Sequence, residues 1–551
     1  MRCTLTSRHI AKLFDRRHFL KDALLVGAGA CTACSAAEAT LLSSSALADT
    51  TSLLSANISI DVGEIRHRIN QNIYGSFIED IGRIIYGGVY EEASTLSDDQ
   101  GFREDVLDAV RDWGVPVLRW PGGNFASGYH WQDGIGPKES RPRRYDLAWF
   151  AEKSNHFGTD EFVEYCRKAN AEPYICVNLG TGSIEEAANW VEYCNGTGNT
   201  SYANLRRKYG HDEPHRVRYW GLGNEVFGDW QIGHKDAEDY AKVALECGKL
   251  MKWVDPTIQL VACGLPNLEW NRVILEKLVN IADYVSLHDY EGSDDYYEEL
   301  GTVQRLEQNL RLTAEAIDLT DSLRGKPNIL DQSVPGTKTK KRIEIACDEW
   351  NIWYRKHDLF LRDVPNPVEE RYNLRDALWV ASALNLFQRM GDRVTMANLA
   401  QLINSIGAIF TSPTGMFLQS IYFPMKLYRS QCGALAVPSH VESPSFSSKT
   451  FENVPYLDVS STLDDAKRTL SVAVVNRHKT DPIRTTLAIR NGRPGREATA
   501  FEINGASPET ENSFSEPQNV KITKKQVGEI SDKVSYTFGA HSVTLIRLNL
   551  A

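Results

Sequence analysis

Two short apolar runs in this chain each stop on a carboxylic acid: Tyr219 to Glu225 reads YWGLGNE, and Ala346 to Trp350 reads ACDEW. Burying a carboxylate costs free energy unless the group is paired, so each glutamate marks either an ion pair or a reactive group. Two carboxyls facing one another are the apparatus of glycosidic bond cleavage. One protonates the leaving oxygen, and the other attacks the anomeric carbon or activates water. On this reading Glu225 or Glu349, at a dry strand end, has its pKa raised by desolvation and serves as the acid. The other, held by Arg119 and a tyrosine, stays ionised. The plainer alternative, a strand-ending glutamate paired with a neighbouring cation, accounts for most isolated cases. Here polar side chains accompany both acids, because Glu79, Arg119, Asn124, Asn224, His288, Tyr290, Asp348, Asn398 and Gln401 also fall at the ends of apolar runs.

Eight such runs are expected to be strands, at 72–79, 115–123, 172–180, 217–225, 260–267, 283–290, 343–351 and 393–402. Amphipathic helical patterns lie between them. The clearest, Asp236 to Val254, places Tyr240, Val243, Ala244, Cys247, Leu250, Met251 and Val254 on one stripe at 3.6 spacing. Another, Asp105 to Trp113, stops at Gly114, as a helix C-terminal cap requires. Apolar strands separated by helices imply a parallel sheet, and eight such units imply an α/β (β/α)8 TIM barrel. Barrel chemistry sits at the C-terminal ends of the strands. Strands four and seven lie opposite one another in the ring, so Glu225 and Glu349 should meet across its mouth. After about residue 410 the runs TLSVAVVN, TTLAIRN and HSVTLIRLNL read as strands of an all-β sandwich, jelly-roll-like in class. The expected organisation is a leader at 1–48, a strand segment joining the sandwich at 49–70, the barrel at 71–409 and the sandwich at 410–551.

Composition sets limits on the partner. The net charge is −11 and the longest basic tract is the short KTKKR at 338–342, which excludes an electrostatic footprint for nucleic acid. The 12 Trp, 22 Tyr and 19 Phe suit both a large core and a sugar-binding cleft. DRRHFLK, a mild apolar run and ALA at 46–48 have the layout of a twin-arginine export signal, which predicts a periplasmic or extracellular protein; lipoprotein anchoring at Cys31 or Cys34 is the lesser alternative. No membrane span is expected. The seven cysteines beyond the leader are odd in number and lie mostly in apolar runs without CxxC spacing, which suits neither a disulfide framework nor a zinc site.

The stretches GSFIEDIGRIIYGGVYEE (75–92), LRWPGGNFASGYHWQDGIGP (118–137), YWGLGNEVFGDWQIGH (219–234), VSLHDY (285–290), DEWNIWYR (348–355) and MANLAQLINSIGAIFTSPTG (396–415) resemble the α-L-arabinofuranosidases of glycoside hydrolase family 51. The resemblance implies Glu225 as general acid/base and Glu349 as nucleophile. Arg119 would hold the nucleophile with Tyr290 beside it, and His288 would lie near the acid/base. Glu79, Asn124, Asn224 and Gln401 would hydrogen-bond furanose hydroxyls, with Trp149 and Trp353 as walls. It further implies an exo-acting, retaining enzyme for arabinan, arabinoxylan or arabino-oligosaccharides, working without metal or cofactor, and a hexamer. Asp80 departs from the resemblance, which has histidine there. His288 beside Asp289 lacks a second histidine at ligand spacing, and the glycines of PGG and GTG read as tight turns rather than phosphate cradles. The alternatives are a β-xylosidase or endo-glucanase on the same scaffold and a noncatalytic surface glycan-binding protein.

Overall fold

Eight parallel strands close into a ring in the computed structural model, which describes residues 54–324, 342–354, 368–528 and 533–551. They are β1 (Gly75–Phe77), β2 (Val117–Trp120), β3 (Glu172–Cys176), β4 (Tyr219–Leu222), β5 (Gln259–Ala262), β6 (Tyr284–Glu291), β7 (Glu344–Ile352) and β8 (Val394–Ala400). Their order around the ring is the order in the chain, and β8 pairs with β1 to close it. Each falls within or across one of the eight expected runs. Both faces of these strands are covered, so their sequences are continuous apolar runs rather than alternating ones. A plug of seven buried side chains fills the lumen below the mouth, one from each of β2 to β8: Val117, Tyr174, Tyr219, Val261, Tyr284, Ala346 and Met396. With the lumen solid, a substrate can enter only at a rim.

The helices begin and stop where their residues dictate. Ala237–Val254 starts at Asp236, whose side chain accepts from the Asp239 amide, and buries Tyr240, Ala244, Cys247 and Met251, while Val254 at its end is exposed. Glu104–Trp113 ends at Gly114, whose φ of 76° lies in the left-handed region where a side chain would be strained. The seven described cysteines are unpaired, six of them buried.

The barrel extends further along the chain than expected. Helix Tyr422–Gln431 packs against both Glu104–Trp113 and Leu374–Arg389, and its Tyr422 hydroxyl donates to the Ala109 carbonyl at 2.8 Å. It is the last of the helices that jacket the ring, and it lies beyond the boundary drawn at 409. The hairpin Ile409–Ser412/Gly415–Leu418 comes just before it.

The tail is two sheets facing one another across a core that includes Ile58, Ile60, Leu470, Val472, Leu487, Phe538 and Ile546. Strand Leu54–Asp61, which precedes the barrel in the chain, lies within the four-stranded sheet. It pairs in parallel with Ile483–Arg490 and antiparallel with Ser439–Glu442. Helix Leu374–Arg389 joins the two parts: Arg389 is paired with Asp458 at 2.9 Å, and the Ser460 hydroxyl donates to Asn385 at 2.6 Å.

Candidate active site

Glu225 stands three residues past the end of β4, and the path that delivers it is tight. Gly223 turns the chain at φ 81°, where an added Cβ would meet Leu179 and Val226 at 3.1 Å, and Glu225 itself sits at φ 40°. A non-glycine residue in the left-handed region is strained and persists where surrounding contacts hold it. That turn is why the apolar run ends abruptly on an acid. Glu349 lies inside β7, and the β6–β7 register sets His288 directly beside it.

These groups form one connected chain. Arg119 on β2 donates to Glu349 Oε1 at 2.6 Å and to Asn224 Oδ1 at 2.6 Å, and its Nε lies 3.5 Å from Asp348 Oδ2. Phe77 and Tyr174, its neighbours on β1 and β3, hold the guanidinium from the sides, with ring centroids at 4.7 and 5.8 Å. Tyr290 donates its hydroxyl to Glu349 Oε2 at 2.7 Å, so both oxygens of Glu349 are gripped by donors. His288 Nδ1 lies 2.9 Å from Glu225 Oε1 and 3.5 Å from Glu349 Oε2, and its Nε2 lies 3.4 Å from Asp348 Oδ1. One oxygen of Glu225 and one of Glu349 fall, with a His288 nitrogen, within 4.8 Å of one another.

The electrostatics correct one expectation. Burial pushes the Glu225 carboxyl up, as reasoned from its dry position, but the hydrogen bond and charge of His288 outweigh it and leave the group below its usual range. Burial alone would depress His288; the charges of Glu349, Glu225 and Asp348 raise it to about 10. Asp348, despite its burial, is drawn down to about 2 by Arg119 and His288. At neutral pH the proton of the Glu225–His288 pair therefore rests on the imidazole.

Above this chain opens a pocket of about 380 Å³. Eight of the eleven expected residues line it: Glu79, Asn124, Trp149, Glu225, Tyr290, Glu349, Trp353 and Gln401. Arg119, Asn224 and His288 lie behind this wall and reach it through the bonds above. Glu79 accepts from the Trp149 indole at 2.8 Å, the Phe125 amide at 3.0 Å and Gln401 at 3.3 Å. Burial and the nearby Glu349 charge raise its carboxyl to about 8, so it carries a proton at neutral pH and can donate to a hydroxyl. The PGG turn is built around this acid. A Cβ at Gly122 would come within 2.6 Å of Glu79 Cγ, and one at Gly123 would strike its carboxylate. The departure at Asp80 also has a local reason: it is paired with buried Lys153 at 2.7 Å, which ties down the hairpin Arg144–Asp146/Ala151–Lys153 that carries Trp149.

Sequence reasoning missed Trp230, whose indole donates to Glu225 Oε2 at 3.2 Å while half of the residue stays exposed over the pocket. Its signal was an aromatic residue five positions past the acid. Ser405, Ile406 and Val368 also line the pocket without having been singled out. Glu225, His288 and Glu349, like Asp160, His211 and His215, lie close enough together to bind a cation. In each set one histidine is hydrogen-bonded to a carboxylate, His288 to Glu225 at 2.9 Å and His215 to Asp160 at 2.7 Å.

Comparison with known proteins follows the same lines. Residues 109–308 match the family described as the α-L-arabinofuranosidase 1 domain, and 348–542 match the α-L-arabinofuranosidase C-terminal domain. A probable α-L-arabinofuranosidase C of Aspergillus clavatus is 38% identical over 87% of this chain and 94% of that protein. The crystal structure of an α-L-arabinofuranosidase from Thermotoga maritima, an arabinose complex, superposes with a TM-score of 0.83 at 42% identity, covering 90% of this chain and 100% of the other. A relative from Halalkalibacterium halodurans, 38% identical over 80% of this chain and 88% of its own, is described as an intracellular exo-α-(1→5)-L-arabinofuranosidase. That description overturns the expectation of export. Residues 1–48, on which the expectation rested, lie outside the described residues, as does most of the KTKKR tract. No helix among the described residues is long and apolar enough to cross a membrane.

Proposed function

We infer the reaction from one premise: the chain belongs to the α-L-arabinofuranosidases of glycoside hydrolase family 51. It is a glycoside hydrolase with α-L-arabinofuranosidase activity. Our reading of its mechanism is double displacement with retention. Glu349 attacks the anomeric carbon while Glu225 protonates the leaving oxygen, and Glu225 then takes a proton from the water that hydrolyses the arabinosyl-enzyme. The observation that carries this reading is the closeness of the two acids, whose nearest oxygens are within 4.8 Å. Retaining enzymes hold their carboxyls about 5 Å apart, whereas inverting ones leave roughly 6.5–9.5 Å for a water. Arg119 and Tyr290 orient the two oxygens of Glu349. Glu79, Asn124 and Gln401 bond the furanose hydroxyls, between walls made by Trp149 and Trp353, with Asn224 held behind them by Arg119.

A pocket of about 380 Å³ suits one terminal furanose, which supports exo-action on the non-reducing ends of arabinan, arabinoxylan or arabino-oligosaccharides. The exo-α-(1→5) activity named for the Halalkalibacterium relative favours the same view. A homo-hexamer completes the proposal and is checked by light scattering. The decisive experiment follows product anomers by proton NMR during hydrolysis of arabinosides. First-formed α-arabinofuranose is expected; β as the first product would sink retention, and release of internal fragments would sink exo-action.

A further inference from the structure

Resting on the acid/base reading of Glu225, we propose that Asp348 is a positioning residue that fixes the tautomer of His288, so that Nδ1 of the imidazole supplies and recovers the proton Glu225 uses. The geometry is a line of three groups from three places in the barrel. Asp348 lies 3.4 Å from Nε2 and Glu225 lies 2.9 Å from Nδ1. Asp348 is itself fixed, because the Tyr174 hydroxyl donates to its Oδ2 at 2.8 Å and Arg119 Nε lies 3.5 Å away. A neutral imidazole keeps one N–H, and the hydrogen bond made by one nitrogen decides which. The Asp348 charge faces Nε2, although no hydrogen bond joins them, and once Glu225 holds the proton and donates it to Nδ1 at 2.9 Å, the hydrogen of the neutral ring stays on Nε2. Nδ1 is left as the atom that gains and loses the proton.

The placement of His288 against Glu349 explains why such a relay is useful. In the first half of the reaction the Nδ1–H bond breaks and a Glu225 O–H bond forms. That O–H bond breaks in turn as the leaving oxygen takes the proton, while the Glu349 O–C1 bond forms and the C1–O bond breaks. His288 loses its positive charge as Glu349, 3.5 Å away, loses its negative one. The net charge of the buried site is unchanged, which matters where charge separation is poorly screened. In the second half a water O–H bond breaks, its oxygen bonds C1, and the proton passes through Glu225 back to Nδ1 as the Glu349–C1 bond is released. Glu225 after β4 and Asp348 and Glu349 on β7 face the imidazole, with Arg119 of β2 behind the carboxylates and Tyr174 and Tyr290 at the sides. The thiol of Cys263 after β5 is pushed up by burial and stays neutral.

The test compares substrates that need acid help with one that does not. For Asp348→Asn, kcat/KM on an arabino-oligosaccharide should fall about 100-fold, with the alkaline limb of its pH profile moved to lower pH. On 2,4-dinitrophenyl α-L-arabinofuranoside, whose leaving group departs without a proton, it should change less than about threefold. Tyr174→Phe, which frees only one oxygen of Asp348, should give the same pattern at about fivefold and guards against a misfolded Asn variant. Equal losses on both substrates, or no loss on either, overturn the relay. Glu225→Ala on the same pair separates the two ideas: if it too lacks leaving-group dependence, the acid/base reading fails; if it alone shows the dependence, only the role of Asp348 fails.

Discussion

Two clusters of buried carboxyls sit in this barrel and handle charge in opposite ways. At the mouth, Glu225, Asp348 and Glu349 face Arg119 and His288, so three acids meet two cations. Near the rim, beyond Trp353, Glu299 and Asp376 share the single guanidinium of Arg375, and the Tyr354 hydroxyl lies 2.6 Å from one and 2.5 Å from the other. In the second cluster burial wins and both acids are raised. In the first the cations win for Asp348 and Glu225, which are lowered. Burial alone does not decide whether an acid is ionised; the count and closeness of cations does. The cluster at the mouth opens on a pocket and can exchange charge with a substrate. The other is sealed, with Glu299 and Asp376 fully buried and both carboxyls raised by that burial.

The sharpest test of that contrast is to empty its reactive side. Glu349→Ala is expected to lower kcat on arabinofuranosides by at least about 10⁴-fold with an unchanged circular dichroism spectrum. Glu225→Ala should cost about 10² to 10³-fold on alkyl arabinosides, and added azide should restore turnover as an arabinosyl azide of retained configuration, identified by NMR. Glu79 gives a pH signature. Its raised carboxyl keeps the proton below about pH 8 and loses it above, so KM should rise on the alkaline side, and Glu79→Gln should abolish that rise while costing about tenfold in kcat/KM at neutral pH. The sealed cluster should respond least. Glu299→Gln is expected to leave kcat within about twofold. Because the folded state binds the Glu299 proton more tightly than the unfolded chain, stability falls as pH rises from the ordinary carboxyl range toward the raised value. Melting curves at pH 5 and pH 8 should therefore differ by about 2 °C less in Glu299→Gln than in the parent. A loss of activity there equal to that of Glu79→Gln would erase the distinction between the two clusters.

The ring was legible because fully covered parallel strands must be apolar along their whole length, and each run stops where the chain meets solvent at the mouth. For the same reason Glu225, Glu349 and Arg119 stood out as polar residues at the ends of apolar runs. What the sequence hid was pairing between distant segments. The lowering of Glu225 is caused by His288 on another strand, and nothing near Glu225 in the chain announces it. Trp230 reaches the acid through a loop whose course depends on Gly228, where a Cβ would collide with the indole. Helix Tyr422–Gln431 lies past the boundary expected at 409, because the β-rich texture that set that boundary comes from strands further along the chain, and what places the helix is its packing on Glu104–Trp113 and Leu374–Arg389.

The parallel pairing of Leu54–Asp61 with Ile483–Arg490 has a consequence for biosynthesis. A ribosome releases the first of these strands more than four hundred residues before the second, so Ile58 and Ile60 wait without a covering layer while the whole ring is translated and assembled. A prematurely terminated product would keep that waiting edge permanently bare, a template for cross-chain pairing, and chaperone demand should track the distal part of the message rather than the ring itself.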